Sequence, residues 1–219
     1  MTKTPIPTLY KPINIKQINI ALTGKMRSGK DSVAGAIVKS LSNPHKNVYV
    51  RTFSFGDSLK QAARQLYPHE FNEGQKPRQL IQWLGQILRR RNENIWIDFV
   101  AKKINDNLRN IGFDYGSYTI VNIITDLRQP NEYEFAKQND FTIIKVECDD
   151  IVRLKRMQEL NDDFDEKDLQ HETEAYIDSF DYDYLITTTH INKNELYHRV
   201  KDLTELIQNK NKEVNNERN

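Results

Sequence analysis

Ile18-Asn19-Ile20-Ala21-Leu22-Thr23-Gly24-Lys25-Met26-Arg27-Ser28-Gly29-Lys30-Asp31-Ser32 joins an apolar, strand-like half to a loop in which Gly24, Gly29 and Lys30 satisfy G-x-x-x-x-G-K. Val33-Ala34-Gly35-Ala36-Ile37-Val38 follows as an apolar, helix-compatible run, so the loop lies between a strand and a helix N-terminus. That context makes the spacing a phosphate cradle, because inward backbone N–H groups and the positive helix end surround a polyphosphate and Lys30 adds a full charge. Gly24, Lys25, Arg27, Ser28, Gly29, Lys30, Asp31 and Ser32 are the candidate nucleotide-binding residues. Asp31 stands where a Ser or Thr usually follows the lysine, and Ser32 comes one position later. The hydroxyl that normally reaches Mg²⁺ is thus displaced or replaced, and Asp31 becomes a candidate metal contact.

Working outward, 219 residues suffice for one domain with a substantial core and a small insertion. Hydrophobic residues make up 37% and charged residues 29%, with a formal net charge of +1. This balance argues against a basic surface for a nucleic-acid polymer and against an acidic solvating tail. Cys148 is the single cysteine, which excludes an intramolecular disulfide framework. Its place at the end of an apolar run predicts a buried thiol in a reducing cytoplasm. No apolar stretch approaches the ~20 residues that span a bilayer, and Met1-Thr2-Lys3-Thr4-Pro5 lacks the apolar core of a signal peptide. A cytoplasmic protein without a membrane partner is expected.

Residues 1–17 carry Pro5, Pro7 and Pro12 and no clear period, which predicts an extended arm. Val48 to Ser54 has the composition of a second strand, and Asp57 or Ser58 would then cap a helix running towards Tyr67. From Pro77 to Arg91, Leu80, Ile81, Leu84, Ile87 and Leu88 recur with helical spacing. A further helix is expected from about Ile95 to Leu108. Arg89, Arg90 and Arg91 cannot share one helix face, so at most one or two reach a common site. Trp83 and Trp96 read as core packing, with stacking on a base as the alternative.

Tyr118 to Thr125 reads as a buried parallel strand closed by Asp126. An acid there is where such proteins hold Mg²⁺, directly or through water, whereas its other role would be to cap the helix over Asn131 to Lys137. Arg128 nearby strengthens the ligand-site reading. Phe141 to Cys148 reads as a fourth strand and Asp149 or Asp150 as the start of a helix, with Arg153 and Arg156 on one face, suited to phosphate oxygens. The acidic stretch Asp162-Asp163-Phe164-Asp165-Glu166 has no apolar face. Tyr182 to Thr187 makes a last strand, Lys193 to Gln208 a closing helix, and 208–219 a frayed tail. Together, the loop, the strand-ending acid and the paired arginines imply nucleoside-triphosphate chemistry.

The residues also resemble the bacteriophage deoxynucleoside monophosphate kinases. The likeness rests on Gly24 to Ser32, Phe53-Ser54-Phe55-Gly56-Asp57-Ser58-Leu59-Lys60, Arg78-Gln79-Leu80-Ile81-Gln82-Trp83-Leu84-Gly85, Thr125-Asp126-Leu127-Arg128-Gln129-Pro130-Asn131-Glu132, Arg153, Arg156 and His171-Glu172-Thr173-Glu174. It implies an α/β P-loop NTPase fold of nucleoside monophosphate kinase type: a central parallel sheet flanked by helices over 18–207, a helical acceptor-binding region at about 57–110, and a lid at about 150–178. It further implies ATP and Mg²⁺ as cofactors and a deoxynucleoside monophosphate as acceptor, in the host cytoplasm if the chain is phage-encoded, and it is compatible with a homodimer. Carried over, Lys30 would hold the ATP phosphates, Asp126 the metal, and Arg153 and Arg156 the transferring phosphoryl. Lys60, Arg78, Gln82, Trp83 and Arg128 would meet the acceptor. Capping or hinge packing is the expected role of His171, since a phosphate acceptor is already ionised and needs no base.

Two other readings use the same donor loop: a kinase for phosphomevalonate or dephospho-coenzyme A, and a non-catalytic nucleotide-binding module. A GTP switch would need Asn-Lys-x-Asp and Asp-x-x-Gly, and neither occurs.

Overall fold

A computed structural model describes residues 14–71, 77–110, 116–159 and 176–217. The elements are β1 (Asn14–Thr23), α1 (Lys30–Leu41), β2 (Val48–Phe53), α2 (Phe55–Leu66), α3 (Arg78–Arg91), α4 (Ile95–Asn110), β3 (Ser117–Leu127), α5 (Pro130–Gln138), β4 (Thr142–Glu147), α6 (Asp150–Glu159), β5 (Tyr184–Thr187) and α7 (Lys193–Glu217). The five strands form one sheet in the order β2-β3-β1-β4-β5, and every pairing is parallel. This is the fold of P-loop NTPases and kinases, as the sequence predicts.

Alternation along the strands divides the core. Ile18, Ile20 and Leu22 of β1, Val121 and Ile123 of β3, and Ile144 and Val146 of β4 point to one face, where α1 and α7 cover them. Ala21, Ile124, Leu127 and Ile143 point to the other, under α2, α3, α4 and α5. Successive side chains of a strand leave opposite faces, so a strand covered on both sides reads as a continuous apolar run. The loop after β1 emerges between β3 and β4, where neighbouring connections leave in different directions and α/β sheets place their ligands.

Three boundaries and the burial of one residue differ from expectation. β1 begins at Asn14, so the last residues of the supposed arm are strand, pairing Asn14 to Gln17 with Ser117 to Ile120. Three of these four side chains are polar and the fourth, Ile15, is exposed, so no apolar period announces them. α2 begins at Phe55, with Ser54 as N-cap accepting from Asp57 N, instead of at Asp57 or Ser58. α7 continues to Glu217, through the expected tail. Cys148 is free and only half-buried, because it follows the last residue of β4 and leaves the core. His171 and most of the expected lid, 160–175, lie outside the described residues.

Candidate functional site

The loop from Gly24 to Gly29 needs its glycines for geometric reasons. Gly24 has φ of 148°, and a β-carbon there would collide with the carbonyl oxygen of Val146 on β4. Gly29 has φ of 96° and is the N-cap of α1, where a β-carbon would sit 3.2 Å from Thr188. Arg27 adds a third positive φ, of 60°. At the φ values of Gly24 and Gly29 only glycine is free of strain, so backbone can approach a ligand where a side chain would intrude. The Lys30 ammonium folds back on the carbonyl oxygens of Gly24 and Lys25.

From behind, the loop is held by side chains that the resemblance assigns to the transferring phosphoryl. Arg153, 6% exposed, donates from Nε to the Met26 carbonyl at 2.8 Å and from Nη1 to the Asp150 carboxylate at 2.6 Å. Arg156 donates from Nη1 to the Arg27 carbonyl at 3.2 Å and from Nη2 to the Thr188 carbonyl at 2.9 Å. Thr188, itself buried, donates its hydroxyl to the Ser28 carbonyl at 2.6 Å. Both arginines therefore contribute donors to loop carbonyls, which a phosphate-binding loop must turn outward when its N–H groups turn in. Arg156 lines the main cleft, while Arg153 lines a smaller cavity on the other side of the loop. In front of that smaller cavity, Lys25 pairs with Asp178 at 2.8 Å.

The main cleft has a volume of about 1040 Å³. Gly29, Lys30, Asp31 and Ser32 line one part of it, and Lys60, Arg78, Gln82, Asp126 and Arg128 line the rest. These candidate donor and acceptor residues share one space, whereas Gly24, Lys25 and Ser28 line the smaller cavity. Trp83 lines neither: it is 49% exposed, meets Tyr67 edge-on at 6.4 Å between ring centroids, and is absent from the cleft wall. Its other expected role, core packing, belongs to Trp96 alone, at 2% exposure.

Asp126 has a structural task in this wall. One of its oxygens accepts from Phe55 N at 2.9 Å, and the other accepts from Gly56 N at 2.8 Å and the Ser54 hydroxyl at 2.7 Å. A carboxylate has about four acceptor positions, so capacity for one further partner remains. Among the described residues no group of three or more His, Cys, Asp or Glu gathers as a metal cage. The oxygen donors facing the cleft, Asp31, Ser32 and Asp126, suit Mg²⁺, which takes one or two protein oxygens and completes its shell with water and phosphate.

Two cleft residues carry no sequence signal of their own. Glu132, 4% exposed, accepts from Arg128 N at 2.9 Å and Gln129 N at 3.0 Å, capping α5. Its pKa is raised to about 7, by burial first and then by the Asp126 charge, against the opposing effect of the two N–H bonds and Arg89. Arg89 is the only member of its arginine run on the cleft wall. Burial lowers its pKa, and Glu132 acts in the opposite sense. The Gln129-to-Glu132 spacing, a capping pattern, is the signal that could have found Glu132.

Among the described residues no helix is long and apolar enough to cross a membrane. No curated protein matches this chain. Among solved structures, TT1252 from Thermus thermophilus superposes with a TM-score of 0.53 at 15% identity, covering 89% of this chain and 98% of that one. The shikimate kinase from Bacteroides thetaiotaomicron gives 0.44 at 12% identity, over 87% and 98% of the two chains. The APS kinase of Mycobacterium tuberculosis, solved in complex with AMPPNP and APS, gives 0.43 at 17% identity, over 89% and 99%. The first of these likenesses is one of fold. Residues 20–178 match the family model described as an AAA domain, and with it the phosphate loop, the sheet and the cleft wall find their place: the chain belongs to the AAA domain family.

Proposed function

We propose that this protein transfers the γ-phosphoryl group of ATP to a deoxynucleoside monophosphate, giving ADP and a deoxynucleoside diphosphate. The observation that carries this reading is the single cleft in which the phosphate loop and the polar residues of α2, α3 and the β3–α5 connection face one another. A donor in the loop and an acceptor held by Lys60, Arg78, Gln82 and Arg128 would then lie in one space, where their proximity favours transfer between them.

Each residue has a defined task in that reading. Lys30 supplies positive charge at the loop, where charge builds on the transferring group. Arg156 and Thr188 fix the loop carbonyls, so that its N–H groups stay preorganised. Arg153 does so from the far side, a role different from direct contact with the phosphoryl. Asp31, Ser32 and Asp126 are the residues that would hold Mg²⁺, whose chemistry is to neutralise phosphate oxygens. No general base is needed, because a phosphate monoester is already ionised near neutral pH.

The test is a panel of common deoxynucleoside and ribonucleoside monophosphates with ATP and Mg²⁺, following the diphosphate product. Formation of a deoxynucleoside diphosphate at enzymatic rates is the expected result. ATP turnover with none of them, in a protein that binds ATP, would overturn the reading.

A further inference from the structure

Arg78, Gln82, Gln86 and Arg89 of α3 all line the cleft, at intervals of four, four and three residues, so they form one stripe of the helix. Long helical side chains lean towards the N-terminus and cover the residue four positions earlier. For Arg89 that residue is Gly85. A β-carbon at Gly85 would meet Leu59 at 2.9 Å and Arg89 Nη1 at 3.5 Å. Glycine here both lets α3 close on α2 and leaves the guanidinium a seat in the cleft.

Glu132 lines the same cleft, close enough for its charge to act on Arg89, yet no hydrogen bond or salt bridge joins them. Arg89 makes no hydrogen bond or ion pair with any described residue, although it is half-buried. A desolvated guanidinium presents five donors in a planar fork, and leaving them unmet is unfavourable. The fork matches the oxygens of a phosphate group.

Resting on the phosphotransferase reading above, we propose that Arg89, seated over Gly85 and held by the buried charge of Glu132, grips the phosphate of the acceptor. Arg89 is a binding residue and Glu132 a positioning residue. The charges then alternate in the order carboxylate, guanidinium, phosphate. Without Arg89, Glu132 and Asp126 would face the incoming dianion directly, so its removal costs more than one contact.

Two measurements on the full chain test this. In the first, the arginine Nε–Hε signals of the AMPPNP-loaded protein are followed by NMR during titration with inorganic phosphate, against sodium chloride at equal ionic strength. The Arg89 signal, assigned by its loss in Arg89→Lys, is expected to shift saturably with phosphate only. No shift overturns the proposal whatever the acceptor is. The second is steady-state kinetics with ATP and the best acceptor of the panel. Arg89→Gln is expected to raise the acceptor KM about 10–100-fold, as loss of a charge-assisted bidentate contact does, with the KM for ATP within about twofold. Adding Glu132→Gln should recover at least about threefold of that loss by removing the exposed repulsion, which a merely structural role of Glu132 would not do. A normal acceptor KM in Arg89→Gln, or a double variant no better than the single, overturns the proposal. If Arg89→Gln does not fold, Arg89→Lys, which keeps the charge but loses the fork, should raise the acceptor KM about fivefold or more. A phosphate-dependent Arg89 signal in a protein that turns over no nucleoside monophosphate would leave Arg89 as an anion site and place the failure in the acceptor assignment.

Discussion

The Ser54 hydroxyl and the Asp126 carboxylate meet at 2.7 Å across 72 residues of sequence, and this contact joins the start of α2 to the end of β3. The same carboxylate takes the N–H groups of Phe55 and Gly56, so it fixes where α2 begins. Asp126→Asn should therefore destabilise the protein by about 2 kcal/mol, because an amide has one acceptor oxygen where the carboxylate has two and leaves a buried donor unmet. Chemical denaturation reads this loss. Under the proposed function the variant should also need more Mg²⁺ for half-maximal rate, and a normal denaturation midpoint would show that the cap is unimportant.

Lys30→Ala tests the donor loop. Lys30 is 7% exposed and its ammonium sits at the loop's own carbonyls, where the proposed function puts the donor's phosphates. Turnover should fall about 10²–10³-fold, the range for loss of one preorganised electrostatic contact. Initial-rate measurements with saturating acceptor decide it; turnover near that of the parent protein would remove Lys30 from the machinery.

Arg153→Ala should act on the loop's shape and not on the transferring group. The guanidinium is buried and donates to Met26, so its loss leaves a loop carbonyl without its donor and should lower stability by about 1–3 kcal/mol. ATP affinity, measured by titration calorimetry, should fall along with the melting temperature. Lower turnover with unchanged stability and ATP affinity would return Arg153 to a direct role in phosphoryl transfer.

Glu132 predicts a pH dependence of stability. Its folded-state pKa is about 7, above its ordinary 4.5, so the folded protein binds the proton more tightly than the unfolded chain. Stability contributed by the protonated acid is fully present below about pH 4.5, falls as pH rises towards 7, and is flat above that. Glu132→Gln keeps an oxygen for the Arg128 and Gln129 N–H groups and removes the titration. The variant should gain on the parent by up to roughly 3 kcal/mol between pH 4.5 and 7. Parallel stability curves for the two proteins would show that Glu132 is ionised throughout.

The parts of this molecule that could be read from sequence are those whose signal is local. Gly24, Gly29 and Lys30 mark the loop because a tight backbone path has few chemical solutions, and Tyr118 to Thr125 marks its strand because both faces are covered. What stayed hidden is set by partners far along the chain. Asp57 and Ser58 are as good caps as Ser54 by residue type, and Asp126 decides among them. Nothing in Thr187-Thr188-Thr189 singles out the middle hydroxyl, which is buried only because the loop lies on it. Arg89 differs from Arg90 and Arg91 in register alone, and Glu132 reads as an ordinary helix-start acid until α3 closes over it.

The hydroxyl of Thr188 and the carbonyl of Ser28, bonded at 2.6 Å, are separated by 160 residues. During synthesis the glycine loop leaves the ribosome 160 residues ahead of the prop that completes its shape, which lies beyond the 20–178 span matched by the family model. A nascent chain halted before residue 188 would carry the recognisable motif without the rigidity that gives it affinity. Under the proposed function, nucleotide capture is in that sense a late event in the protein's biogenesis, timed by the residue that follows β5.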